Sequence, residues 1–201
     1  MKRFDLNQEM KSFLDDFDKF MEYIASNEVT IGKVTKFISP KFLFEINKIV
    51  KIKQENVKNK STQRAYPLLH LFCNLSIGGK LFREEIIKGG KTILKPTERF
   101  TLFKNLNDIE KYIALVEMLW VDCDFENLGY QTYDSINAYS TMEILAHISS
   151  SRPDEIIYAD SIMRYRSTIL LYFSYFGLIN IKEDKEEEKE KNERFFAQVR
   201  L

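Results

Sequence analysis

Few side chains in this chain have the type and spacing that catalysis or metal binding requires. His70 and Cys73 stand three residues apart in an apolar run, a spacing that places both on one face of a helix. Zinc usually takes four ligands that arrive in recognisable pairs. The other histidine and cysteine, His147 and Cys123, have no paired ligand nearby in the sequence. We therefore interpret His70 and Cys73 as core or boundary residues and predict no metal site.

An acidic cluster is the second candidate for chemistry. Asp122, Asp124 and Glu126 lie beside Cys123, and paired carboxylates can act as general acid and base or hold a hard cation. The spacing of a calcium-binding loop is missing, so the default interpretation is a solvated helix end. Carboxylates are unfavourable at a helix C-terminus, which leads us to expect a cation such as an arginine close by.

Other catalytic patterns are also missing. The two Gly-Gly-Lys sequences lack the spacing and the Ser/Thr of a phosphate-binding loop, and no signature supports a Ser/His/Asp or a Cys/His nucleophile. We predict that the chain is not an enzyme and that it has no catalytic residues and no cofactor. An enzyme that uses the acidic cluster is the least favoured alternative.

The distribution of charge is more informative than its sum. The formal net charge is zero, yet residues 33–104 contain 16 lysines and arginines against 5 acidic residues, and the segments on either side are acidic. A polyanion binds to a local basic face of a protein, even when the net charge of the whole chain is zero. The alternative is a solvated basic face, or one that docks onto an acidic protein. We predict nucleic-acid contacts through Lys58, Lys60, Arg64, Lys80, Arg83, Lys88, Lys91 and Lys95.

Composition limits the class of protein. The chain has 201 residues, of which 44% are hydrophobic and 30% charged, as in a soluble globular protein with a substantial core. No apolar run is long enough for a membrane helix, and the N-terminus lacks the apolar core of a signal peptide. We predict a cytoplasmic protein with no membrane partner, and two free thiols.

The elements that must position the basic residues centre on residues 66–97, YPLLHLFCNLSIGGKLFREEIIKGGKTILKPT. Apolar residues at i, i+3, i+4 and i+7 predict a helix that starts near Pro67. Gly78 and Gly79 can take the left-handed conformation that ends a helix. Two β-prone runs follow, joined at Gly89-Gly90, which predicts a two-residue hairpin turn. A hairpin beside the last helix of a helical core is typical of a winged helix.

The flanking segments complete this prediction. Residues 6–25 form an amphipathic helix, with an apolar stripe on one side and Asp15, Asp16 and Asp18 on the other. That stripe either packs on the body or is bound by a partner. The segment 51–64 has no apolar period and predicts a long solvated loop. Near the C-terminus, helix, glycine and strand recur as LLYFSYFGLINIKED, followed by an acidic run and RFFAQVRL.

A resemblance adds to these patterns. The chain resembles the helical, winged-helix-like region of uncharacterised bacterial and archaeal proteins in the segments YPLLHLF, GGKLF, KTILKPTERF, ALVEMLWVDCDF, YFGLINI and RFFAQVRL. In those proteins the region often accompanies a plasmid open-reading-frame-three-like domain. The resemblance covers roughly residues 18–201 and implies no activity and no catalytic residues. There the last strand continues into a short helix, whereas here it stops at Leu201, which predicts a fragment of a longer protein.

The sequence thus predicts a mainly α (α+β) fold with tandem winged-helix-like units. The predicted parts are an N-terminal helix (1–28), a first unit (29–105) and a second unit (106–201), with two small hairpins. The predicted function is a non-enzymatic binding module that contacts nucleic-acid phosphates through its basic first unit, as helix-turn-helix proteins do with loops and wings. The alternative is a protein-interaction or homodimerisation module.

Overall fold

The computed structural model describes residues 5–129, 146, 150, 156–158, 167–183 and 195–199. The chain divides into two compact units, 1–128 and 129–201, and combines helices with small antiparallel sheets of three strands. No described helix has the length and the apolar content that crossing a membrane would require.

The first unit combines helices with three short strands, of which the first lies between the first two helices and the other two form a hairpin after the third. In chain order the elements are α1 (Gln8–Ser26), β1 (Thr30–Ile31), α2 (Pro40–Ile49), a 3-10 turn (Gln63–Ala65), α3 (Pro67–Gly78), β2 (Phe82–Ile86), β3 (Thr92–Pro96), α4 (Glu98–Lys104), α5 (Asp108–Glu117), a π-helical segment (Met118–Asp122) and α6 (Phe125–Leu128).

The sheet of this unit joins a distant strand to the predicted hairpin. Its order is β1-β3-β2, so that β3 is the central strand. β2 pairs with β3 along its whole length, from Phe82 opposite Pro96, and β1 adds the pair Thr30 and Ile93. The hairpin predicted for residues 81–94 is confirmed, and β3 extends through Pro96.

The hairpin turn differs from the prediction by one residue. The Ile87 N–H donates to the Lys91 carbonyl at 2.9 Å, which leaves a loop of three residues between the strands. Gly89 and Gly90 have φ values of 86° and 70°, in the region that favours glycine. Both glycines are needed, but the two-residue turn was wrong because pairing ends at Ile87 rather than at Lys88.

α3 lies at the centre of the first unit. The Phe72 ring contacts the rings of Phe13, Phe17 and Phe20 on α1, with centroids 5.3, 5.1 and 5.5 Å away. Aromatic pairs at these distances and inclined angles contribute beyond their buried area. The apolar stripe of α1 is therefore covered by the core of its own unit.

The end of α3 shows a second difference from the prediction. Gly79 has a φ of −68°, and the positive φ of 56° falls on Lys80 instead. The glycines serve close packing: a methyl group on Gly78 would lie 2.8 Å from the Asp122 carbonyl oxygen, and one on Gly79 would meet Met118 Sδ. They are required because the π-helical segment lies against the end of α3.

Asp16 contradicts the prediction that the acidic residues of α1 all face solvent. Its side chain is completely buried, with Oδ1 accepting from the Lys51 N–H at 2.6 Å and Oδ2 from the Ile52 N–H at 2.8 Å. A carboxylate tolerates burial when it accepts hydrogen bonds of this kind. Asp16 thereby fixes the start of the long loop after α2, because it binds the backbone N–H groups of Lys51 and Ile52 just beyond the end of the helix.

The start of α5 is stabilised by a reciprocal cap. The Asn107 side chain accepts from the Glu110 N–H at 3.1 Å, and the Glu110 carboxylate accepts from the Asn107 N–H at 2.9 Å. We expect Asn107→Ala to lower the free energy of unfolding by about 1 kcal/mol, measured by urea denaturation, because it leaves a helix-end donor unsatisfied. Thr101→Ala, an exposed change on α4, is the control, and an equal loss in both would contradict the cap.

The second unit repeats the order of strands. Its described elements are β4 (Ile156–Tyr158), α7 (Ser167–Tyr175), β5 (Ile179–Glu183) and β6 (Phe195–Val199), and its sheet has the order β4-β6-β5. The predicted helix, strand and returning strand of this region are confirmed in their described parts, and β4 is an addition. The sequence also predicts a helix over residues 133–149, and most of that segment lies outside the described residues, as does most of the acidic run 183–193.

The boundary between the units falls after residue 128, whereas the sequence placed it between 105 and 106. α5 lies against α1, where Lys111 Nζ is 2.7 Å from Asp18 Oδ2. Residues 106–128 therefore belong with the first unit because they pack on its core helices, a relation between distant segments that local composition does not reveal.

Candidate nucleic-acid interface

The tip of the β2–β3 hairpin gathers lysines from two parts of the chain. Lys88 and Lys91 flank the glycine turn and are exposed, and Lys33, in the turn after β1, lies beside them. A methyl group on Gly90 would lie 3.6 Å from Lys33 Nζ. Among the described residues, no carboxylate pairs with any of the three lysines. Uncompensated like charges repel, so an anion at this tip would be stabilised.

The turn after β1 connects the hairpin tip to the 3-10 turn. The turn after β1 is tight, because the Gly32 N–H donates to the Phe37 carbonyl at 2.9 Å. The Arg64 guanidinium lies 5.9 Å from the centre of the Phe37 ring, within the range of a cation–π contact. We use the name basic ridge for Lys33, Arg64, Lys88 and Lys91, which these contacts place in adjoining segments.

The predicted contact residues divide into two groups. Lys58 and Lys60 lie in the exposed loop before the 3-10 turn, where the Lys58 carbonyl accepts from Tyr66 Oη at 3.2 Å. Lys80, Arg83 and Lys95 lie at the other end of the hairpin, where Arg83 and Lys95 face each other across the strands and Arg83 pairs with Glu85 at 3.3 Å.

Two basic residues of this region were missed by the sequence reasoning. Lys33 joins the hairpin tip because β1 pairs with β3, and Lys36 forms an ion pair with Glu84 on β2. The pairing of β1 is a long-range event, and the only local signal was a short β-prone run at residues 29–34. Lys33 adds to the charge of the ridge, whereas Lys36 is neutralised.

α3 offers no side chains for reading bases. His70 and Ser76 are buried, and Asn74, which is half-buried, donates from Nδ2 to the His70 carbonyl at 2.8 Å. Arg64 is exposed, but it precedes the helix. α3 is enclosed within the first unit, because α1, the 3-10 turn, the π-helical segment and α6 all contact it.

His70 holds three segments together below the ridge. Gln63 Oε1 accepts from the Ile38 N–H at 2.7 Å, so Gln63 Nε2 donates to His70 Nδ1 at 3.0 Å, and His70 Nε2 donates to the Asn127 carbonyl at 2.9 Å. These partners require a neutral imidazole with its proton on Nε2. Burial lowers the pKa of His70 to about 4, which keeps the ring neutral at physiological pH.

This environment predicts a pH-dependent stability. With a folded-state pKa of about 4 against 6.5, the unfolded chain binds the proton more readily between these pH values, so stability falls as pH drops below 6.5. We expect the difference in unfolding free energy between the wild type and His70→Gln to shrink by about 2 kcal/mol from pH 7 to pH 5. The titration of His70 followed by NMR gives an independent check, and a midpoint near 6.5 would contradict the burial effect.

The other candidate chemical groups are inert or paired. Burial raises the pKa of both Cys73 and Cys123 to about 12, so neither thiol is a nucleophile at neutral pH. Asp122 Oδ2 lies 3.4 Å from Arg99, the cation expected beside the acidic cluster, and Asp124 Oδ2 accepts from Asn127 Nδ2 at 2.8 Å. In the described part of the chain, no group of three or more His, Cys, Asp or Glu residues could hold a metal ion.

Comparison with known proteins identifies no relative of this chain. No family model, no curated protein and no solved structure matches the chain.

Proposed function

We propose that the chain consists of tandem winged-helix-like units. The order β1-β3-β2, with α2 and α3 between the first strand and the hairpin, supports this arrangement for the first unit. The equivalent order β4-β6-β5, with α7 before the hairpin strands, supports it for the second. We also propose that the chain is similar to the winged-helix-like regions of the bacterial and archaeal proteins that its sequence resembles.

We infer that the first unit is a non-enzymatic module that binds nucleic-acid phosphates through the basic ridge. The observation that carries this inference is the meeting of Lys33, Lys88 and Lys91 at one hairpin tip without a carboxylate partner among the described residues. Lysines on an exposed tip can follow a phosphate backbone without exact geometry. The space around Gly89 is open, because a methyl group there would have no neighbouring atom within 4 Å, and a nucleic-acid backbone can therefore approach the hairpin tip closely.

Binding of this kind is independent of base sequence. Phosphate contacts fix the position of a protein on nucleic acid, whereas base edges carry the sequence information. Because α3 is buried, the ridge is left with lysines and one arginine as its contact groups. We therefore expect similar affinities for duplexes of unrelated sequence at equal salt concentration.

A protein-interaction module is the second candidate. The burial of α3 favours it, because a winged helix without an exposed central helix has lost its usual base-reading surface. The exposed apolar residues Val34 and Ile86, at 93% and 73% exposure, lie in the turn after β1 and at the end of β2. Apolar side chains on a surface are common contact points in protein interfaces.

Fluorescence-anisotropy titration of a labelled random duplex at several salt concentrations tests the leading proposal. Each phosphate contact should add about −0.9 to the slope of log K against log salt, so four ridge residues predict a slope near −3.6. A slope near zero, or the absence of binding at the lowest salt, would reject the phosphate function. The basic ridge would then become a candidate surface for an acidic protein.

A further inference from the structure

We propose that the outer edge of β2 pairs antiparallel with β2 of a second copy of this chain, in a register centred on Glu84. β2 is an edge strand in the order β1-β3-β2, and no described strand pairs with its outer side. The proposal concerns this edge alone and does not depend on nucleic-acid binding.

The hydrogen-bond pattern defines the backbone groups that point outward. The Ile87 N–H donates to the Lys91 carbonyl, and the Thr97 N–H donates to the Leu81 carbonyl, so the odd-numbered residues of β2 bond inward to β3. In an antiparallel pair the intervening residues direct their N–H and C=O groups away from the partner strand. Phe82, Glu84 and Ile86 therefore offer three donors and three acceptors along the open edge.

The side chains of β2 are self-complementary in the proposed register. Antiparallel pairing centred on Glu84 places Arg83 of one copy opposite Glu85 of the other, and the same pair recurs by symmetry. Opposite charges directly across two strands stabilise the pairing, whereas like charges destabilise it. Arg83 and Glu85 already associate within one chain at 3.3 Å, so both are placed on the same face of the sheet.

The other face of the register is also compatible. Ile86, which is 73% exposed, would lie opposite Phe82 of the second copy, whose ring is buried within its own chain, so no charge would face Ile86 there. The two Glu84 side chains would meet at the centre, but each already pairs with Lys36 of its own chain. The central repulsion is thereby reduced, because each carboxylate lies beside an ammonium group of its own chain.

The expected dimer is weak. A contact confined to one five-residue edge buries less area than a stable interface of standard size. Charged edge strands are also a common protection against indiscriminate pairing. The proposed register uses that charge for selectivity, since a strand with a different charge order would place like charges opposite each other.

Two single variants test the register through their mixture. Arg83→Glu and Glu85→Arg each place like charges across the symmetric interface, and we expect each to sediment as a single chain where the wild type forms dimers. In a one-to-one mixture the charges are complementary, so dimers should return to at least the wild-type fraction. Sedimentation equilibrium up to ~1 mM chain covers the range of a weak complex.

Several outcomes would overturn the proposal. These are a wild type that remains a single chain at the highest concentration, single variants that dimerise as well as the wild type, or a mixture that stays monomeric while circular dichroism reports folded chains. Ile86→Pro gives a separate check, because residue 86 directs its N–H outward and its replacement spares the β2–β3 ladder. The proline variant should be folded and monomeric, and a folded proline variant that still dimerises would reject the edge.

Discussion

Reversing the charge of the two lysines at the hairpin tip should strongly weaken phosphate binding. We expect Lys88→Glu with Lys91→Glu to lower the affinity for a random duplex by about a hundredfold or more at about 0.1 M salt, and to reduce the salt slope by about 2. Two favourable contacts disappear, and two negative charges are placed where phosphates would approach. Neither lysine is buried or paired with a described carboxylate, so the melting temperature should be nearly unchanged. Fluorescence anisotropy and thermal denaturation provide the two measurements.

A second pair of lysines supplies the matched control. Lys80→Glu with Lys95→Glu changes the net charge equally at the base of the hairpin, where Lys95, the nearer of the two, lies about 13 Å from Lys91 by the rise of a strand. That separation exceeds the Debye length of about 10 Å at 0.1 M salt, so the base should influence the tip only weakly. Equal losses in the two double variants would show that overall charge, and not the basic ridge, controls binding. An unaffected tip variant would remove the hairpin from the interface.

Replacing Asp16 by asparagine should cause the largest loss of stability among the substitutions considered for this chain. The carboxylate accepts from two backbone N–H groups, at 2.6 and 2.8 Å, in a fully buried position. An amide has one acceptor, and its NH2 group would face the second donor at close range. Hydrogen bonds to a charged group contribute about 1.5–3 kcal/mol each, so we expect a loss of about 3 kcal/mol in urea denaturation.

The neighbouring residue gives the control for this prediction. Asp15→Asn makes the same chemical change one position earlier, where the carboxylate is exposed and pairs with Lys19 and Lys51 at 3.1 and 2.8 Å. Surface ion pairs contribute about 1 kcal/mol or less, so this variant should be close to the wild type. We also expect faster tryptic cleavage within residues 51–60 in the Asp16 variant, because the loop loses its anchor. Equal stability of the two variants would contradict the role of Asp16.

The sequence predicted those elements whose signal is local. The spacing of apolar residues predicted α1 and α3. Pro67 marked the start of α3, and Gly89 and Gly90 marked the turn of the β2–β3 hairpin. The apolar side chains of each element repeat with a period that fits either a helix or a strand but not both. Glycine marks the positions where φ is positive. The basic character of residues 33–104 is likewise a property of composition, and it needed no fold to be recognised.

The basic ridge could be predicted only in part. Lys88 and Lys91 were identified because they flank a recognisable turn, but Lys33 joins them through the pairing of β1 with β3 across 60 residues of sequence. Arg64 was identified from its charge, whereas its place beside Phe37 depends on the fold of the turn after β1. Pairing between distant strands leaves little trace in local patterns, because a two-residue strand has no measurable period.

The sequence by itself therefore determined the helices, the hairpin and the uneven charge of this chain. Tertiary structure decided which polar groups are buried and which surfaces are available. Asp16 and His70 lie among apolar residues because backbone N–H groups, a glutamine amide and a carbonyl bind them there, and α3 is enclosed because other elements of the first unit surround it. These outcomes depend on hydrogen-bond partners that remote segments supply. The sequence around a polar side chain does not show whether such a partner is present in the folded structure.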